Sequence, residues 1–141
     1  MTTDSGANEI YDAQKRLKAA FATRGDFDHL IRGSLQYIQE RVGQKYPDTS
    51  INCVEIGRDF GGEVYLYQLK QTVEKPVNSS FMRFLLGADT RKVKRNLVTV
   101  VNSLSGNNPD HNKIFIEVKD NDLTLACQEV EILSQGIFKV K

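Results

Sequence analysis

The residues of this chain best suited to chemistry gather in two stretches. In "NCVEIGRDFGGEVYLYQLKQ", residues 52–71, Glu55 and Asp59 precede a pair of glycines, and Gln68 and Lys70 follow it. A carboxylate and a second oxygen ligand can hold a divalent cation, and a lysine beside them can stabilise charge or orient an attacking water. In "MRFLLGADTRKVKRNL", Arg83, Arg91, Lys92, Lys94 and Arg95 crowd into a short span. Such a cluster suits a phosphate backbone or an acidic partner. One stretch points to hydrolysis, the other to binding.

For the first stretch to work, the chain must double back as a hairpin. With Gly61 and Gly62 as the loop residues, Phe60 pairs with Glu63, Glu55 with Gln68 and Cys53 with Lys70. Opposed residues of an antiparallel pair share a face, so Glu55, Gln68 and Lys70 would converge, with Asp59 nearer the turn. This "E…QLK" layout, with helices before and after it, resembles the PD-(D/E)xK restriction-endonuclease-like superfamily, in the variant where Gln replaces the second acid. The resemblance covers a minority of the chain. It implies that Glu55 (or Asp59) takes the acidic metal-binding position, Gln68 the second position and Lys70 that of the catalytic lysine. It also implies Glu40 as an additional helical acid and Mg²⁺ as the cofactor. A different loop length would move Glu55 out of register. The same residues also suit a solvent-facing polar sheet edge, with Glu55 paired to a neighbouring lysine.

A literal "PD…ExK" at Pro109, Asp110, Glu117 and Lys119 is a decoy. Asp110 and Glu117 lie along one rising strand and are too far apart to meet at one cation. Glu117 and Lys119 suit the wet side of that strand, with Ile114, Ile116 and Val118 inside.

The basic stretch is expected to be a helix. Asp89 or Thr90 can cap it, and Val93, Leu97, Val100, Val101 and Leu104 form its buried stripe, ending at Gly106. The β-branched run "VTVV" argues against that assignment. On such a helix most of the cations face solvent on one side, where they and the first backbone N–H groups could hold a phosphate. The alternative is an ordinary solvated helix face. No aromatic residue is interleaved with the cations from Arg91 to Arg95, which argues against stacking on single strands.

The remaining pattern supplies the scaffold. Apolar residues at helical spacing span Glu9–Thr23, and a second stripe runs from Phe27 to Val42. Gly25 suits a helix end between them, Asp26 or Asp28 a cap, and the short connection implies an antiparallel pair. Pro47 disfavours helix just beyond Tyr46. Ile51–Gly57 and Glu63–Thr72 read as strands, "EKPVNSS" as a loop and "FMRFLL" as a strand. "KIFIEVK", a turn at "DND", and "LTLACQEVEIL" read as a second hairpin with a bulge near Gln128 and Glu129, and "IFKVK" as a short closing strand. The expected fold class is therefore α+β: an N-terminal antiparallel helix pair, then a mainly antiparallel sheet interrupted by one helix. Residues 1–141 are expected to form one domain, frayed over 1–7.

The 141 residues carry 19 basic and 18 acidic side chains, net +1, so any pull toward nucleic acid or an anionic membrane must come from a local patch. No window is apolar enough to span a bilayer, and "MTTDSGANEI" lacks the basic head and apolar middle of a secretory signal. A cytoplasmic location is expected. Cys53 and Cys127 lie in apolar runs and are expected as two buried free thiols. His29 and His111 have no nucleophile at a recognisable spacing, and no metal-ligand spacing exists outside the hairpin.

Two functions follow. The preferred one is a small non-catalytic module that engages a nucleic-acid backbone or acidic protein partner through Arg83, Arg91, Lys92, Lys94 and Arg95, needing neither cofactor nor membrane. The alternative is a metal-dependent nuclease, or a degenerate relative, built on Glu55, Asp59, Gln68 and Lys70. A homodimer through an exposed sheet edge is compatible with either.

Overall fold

Two glycines set how closely the first helices approach. The computed structural model describes residues 5–19, 24–59, 62–103 and 112–141. Helix α1 (Ser5–Ala19) lies antiparallel to α2 (Arg24–Arg41). A Cβ on Gly6 would stand 2.5 Å from the Tyr37 backbone N, and one on Gly33 would stand 2.9 Å from the Glu9 Cβ. Only bare backbone fits on both sides of this crossing. Gly6 is buried and Ala7 packs on the core, so the chain expected to fray up to Ala7 is helical from Ser5. Gly25, expected to end the first helix, lies inside α2.

Beyond the turn after α2, strand β1 (Thr49–Asp59) pairs antiparallel with β2 (Gly62–Pro76), as the alternating pattern predicts. Next come α3 (Ser80–Leu86), β3 (Thr90–Ser103), β4 (Lys113–Ile116), α4 (Asn121–Leu133) and β5 (Lys139–Val140). The sheet order is β1-β2-β3-β4-β5, antiparallel except for β4 with β5, which α4 joins as a crossover. This is an α+β fold with an N-terminal helix pair and a mainly antiparallel sheet.

Three local assignments are corrected. The stretch expected as a basic helix is strand β3: "VTVV" packs better on a pleated surface than on a helix turn, and Val98, Thr99 and Val100 are all buried. "FMRFLL" is helical. The Ser79 Oγ accepts the Met82 N–H at its start, and Gly87, at φ 66°, closes its end with an N–H donated to the Arg83 carbonyl. "LTLACQEVEIL" is helix α4, in which Leu123, Ala126, Cys127 and Val130 form the buried i, i+3, i+4, i+7 stripe. The bulge expected near Gln128 and Glu129 is replaced by that continuous helical stripe. "DND" is its cap, with the Asp120 carboxylate accepting the Asp122 N–H at 2.7 Å.

The core lies between the helices and one face of the sheet. Tyr65, Tyr67 and Leu69 on β2 oppose Asn102, Val100 and Val98 on β3, and all six are buried. Leu97 is an extra residue in β3, and this bulge lets two successive side chains, Leu97 and Val98, both reach the interior. The tyrosines pack under a helix: the Tyr67 hydroxyl donates to Asp28 of α2 at 2.6 Å. Burial pushes the Tyr67 phenol well above its usual range.

Helix α4 and its cap are tied to α2 and to the turn that follows α2 by two polar clusters. The Glu129 carboxylate accepts from the Tyr37 hydroxyl and from Arg41, at 2.8 Å to the guanidinium. Burial alone would raise its pKa, but these two donors leave it lowered. Asp120 takes the Lys45 ammonium at 2.6 Å and the Tyr46 hydroxyl at 2.8 Å. Led by Lys45, they bring its pKa down to about 2. Both pairings cross between separate parts of the helical layer and hold the body together.

Candidate functional site

The hairpin was expected to converge Glu55, Gln68 and Lys70, and its register prevents that. The pair next to the turn is Asp59 with Gly62, not Phe60 with Glu63, and Phe60 itself lies outside the described residues. A bulge at Ile56 then shifts the ladder once more, so Glu55 opposes Tyr65, Gln68 opposes Asn52 and Lys70 opposes Ser50. Glu55 thus has the parity of the tyrosines, while Gln68 and Lys70 point to the other side of the sheet. Tyr65 and Lys70 are five positions apart on β2, about 16 Å at strand rise. Asp59 ends β1, and Glu40 is an exposed residue of α2. No cluster of three or more His, Cys, Asp or Glu able to hold a metal occurs among the described residues.

The smaller candidates are also placed. Glu117, in the decoy motif, accepts from the Thr99 hydroxyl at 3.2 Å. Pro109, Asp110 and His111 lie outside the described residues, as do Leu104 and Gly106 of the expected helix stripe. His29 is exposed on α2. Both cysteines are free, but only Cys127 is buried, which pushes its thiol up to about 12; Cys53 is exposed on β1. A concavity of about 810 Å³ at the start of α4 is lined by Lys45, Lys119, Asp120 and Lys141. Its ionic pair, Lys45 with Asp120, is the structural one already described.

The basic stretch gives a different outcome. β1 stops pairing at Gln71, with one further bond from the Thr72 N–H to the Asp48 carbonyl at 3.0 Å, and β4 covers β3 only over Val98–Val101, so beyond Thr72 the far ends of β2 and β3 form their ladder only with each other. They project as a two-stranded ribbon about 16 Å long. Lys75 opposes Arg91, Glu74 opposes Lys92 and Thr72 opposes Lys94. Arg91, Lys92 and Lys94 are exposed, with Arg91 on the side of Lys75 and the other two on the opposite side. Arg95 differs from the rest. Its guanidinium donates to Gln71 Oε1 at 3.0 Å and lies 5.8 Å from the Tyr46 ring centroid, so it anchors the ribbon to the body. Arg83 rides on α3, with its guanidinium 3.4 Å from the Ser80 hydroxyl.

At the end of the ribbon, the Val77 N–H donates to the Asp89 carbonyl at 2.9 Å and α3 forms the tip. None of the residues of α3 is buried. Phe81, Met82, Phe84, Leu85 and Leu86 therefore present five large apolar side chains at the end of a basic stalk. As the strand expected from the sequence, "FMRFLL" would not bring these side chains together at a tip. Ser79 and Gly87, one before and one after the run, were the available sign of a short capped helix.

From Thr72 to Arg95 there are six cations and two acids, net +4, whereas the rest of the chain nets −3. A nearly neutral protein thus concentrates its positive field on one projection. Compared with known proteins, the chain matches no family model, no curated protein and no solved structure.

Proposed function

We propose that this protein is a non-catalytic binding module that docks on a polyanionic surface through the arm formed by Thr72–Arg95. The separation of charge carries this reading. Positive charge is concentrated on a ribbon that contributes little to the core, while the body carries the opposite sign. Two sides of the ribbon bear cations, so the arm can lie against an extended charged surface. A nucleic-acid backbone and an acidic protein were the partners expected from the sequence, and both offer such a surface.

The nuclease alternative is less favoured because it requires Glu55, Gln68 and Lys70 on one face of the hairpin. It retains a clear test: Mg²⁺- or Mn²⁺-dependent cleavage of DNA or RNA that disappears in Lys70→Ala. With the observed register we expect no cleavage by the unmodified chain.

The binding reading is tested with heparin and a DNA duplex as soluble polyanions. Replacing Arg91, Lys92 and Lys94 together by Glu should weaken binding to at least one of them by about tenfold or more at low salt. The far-ultraviolet circular dichroism should not change. Equal binding by variant and parent, or no binding by either, would remove the arm from consideration as an electrostatic contact.

A further inference from the structure

The chemistry of the arm's tip identifies the kind of polyanionic surface it meets. Phe84 is 82 % exposed, Phe81 67 % and Leu85 59 %, with Met82 and Leu86 also exposed. The other large exposed apolar side chains, such as Tyr11, Val54 and Ile132, are spread over α1, β1 and α4. At 3.6 residues per turn, the five apolar positions of α3 sweep about 200° of its circumference. Ser80 and Arg83 occupy the remainder. A groove in a folded protein takes a single stripe of a helix, and a phosphate backbone has no use for phenylalanine. A fluid apolar phase accepts side chains from every direction.

We propose that the arm docks on an anionic lipid bilayer, with α3 sunk to the boundary between headgroups and acyl chains and the stalk cations against the headgroups. This rests on the reading of the arm as a polyanion-binding element and names its partner. It departs from the expectation that no membrane is involved. That expectation rested on the absence of a bilayer-spanning segment, and α3 would lie in the interface without crossing; no described helix is long and apolar enough to cross. Stable anchoring takes two signals, an apolar insertion and a basic patch, and the arm supplies both within one projection. Lys75, Arg91, Lys92 and Lys94 lie directly behind the apolar tip. The net negative body is repelled by the same surface, so the arm leads and the body stands away.

The full chain has no tryptophan, so Phe84→Trp places a sole reporter at the tip. Mixed with vesicles of phosphatidylcholine containing about 30 % phosphatidylserine, this variant should show a blue-shifted emission, and with phosphatidylcholine alone far less. In co-sedimentation with the same vesicles, Phe81→Asp with Phe84→Asp should lower binding by about tenfold or more while heparin binding persists. Because neither side chain is buried, both variants should fold as the parent does. Binding to heparin but not to the vesicles would overturn the bilayer assignment and leave the polyanion reading standing. Vesicle binding unchanged by the aspartate pair would overturn insertion of the tip. Equal binding to both kinds of vesicle, unaffected by glutamate at Arg91, Lys92 and Lys94, would overturn the polyanion reading itself.

Discussion

The body and the arm of this protein use the same residue types to opposite ends. In the body, Leu69, Val98 and Phe138 are fully buried, and the charged residues Arg41, Lys45, Asp120 and Glu129 pair with one another. On the arm, phenylalanines and leucines stand in solvent, and Lys75 faces Arg91, a like charge directly across the ribbon. Opposed like charges cost stability, and an uncovered apolar tip gains none. A feature that folding does not require, and that carries both, is better explained by contact with something else.

This contrast is broken most severely if the two regions respond alike to truncation. Leu69→Ala should cost about 2–5 kcal/mol of unfolding free energy in urea melts, whereas Phe84→Ala should stay within about 0.5 kcal/mol. A loss at Phe84 comparable to that at Leu69 would mean the tip is packed against something in the isolated chain. Gly6→Ala should come next, at about 1–3 kcal/mol, because the new methyl would drive into the Tyr37 backbone and neither helix can yield without moving the other.

A pH titration sharpens the comparison within the body. Asp120 is held at about 2, below its ordinary 3.8, by Lys45 and then Tyr46. Its stabilising contribution is present in full above about pH 4 and fades as pH falls toward 2, because the unfolded chain takes up the proton first. Glu129, also lowered, acts in the same direction. Thermal melts between pH 5 and 2 should therefore show a fall in Tm that is smaller in Asp120→Asn. The smallest effect is at the root of the arm: Arg95→Ala should cost about 0.5–1 kcal/mol through its loss of Gln71 and the Tyr46 ring.

How much of this was legible in the sequence depended on whether side chains were partnered across a single period. The first two helices and the strand pair were readable because Ile10, Leu30, Ile31, Leu35 and Ile38 recur at helical spacing, and Tyr65, Tyr67 and Leu69 alternate. β3 was misread because its apolar positions satisfy both periods, and the bulge at Leu97 places neighbouring side chains on one side as a helix would. In α4 a dense apolar run similarly concealed the helical stripe. The basic site was visible as composition, since charge survives a wrong assignment of secondary structure. Its shape was not, because a ribbon that leaves the sheet is fixed by where β1 and β4 stop pairing. The hairpin site failed on three residues of register, two from the turn and one from the bulge at Ile56, a quantity that no side-chain pattern here specifies.

The most direct test is to remove the tip and keep the stalk. Lys75 and Arg91 are directly opposed, so residues 76–90 can be exchanged for a two-residue Asn-Gly turn without altering the register. Thermal unfolding and vesicle co-sedimentation are then measured on the same shortened chain. An arm that serves binding alone predicts a Tm within a few degrees of the parent, heparin binding retained and vesicle binding lost. A shortened chain that no longer folds, or one that sediments with anionic vesicles as fully as the parent, would contradict it.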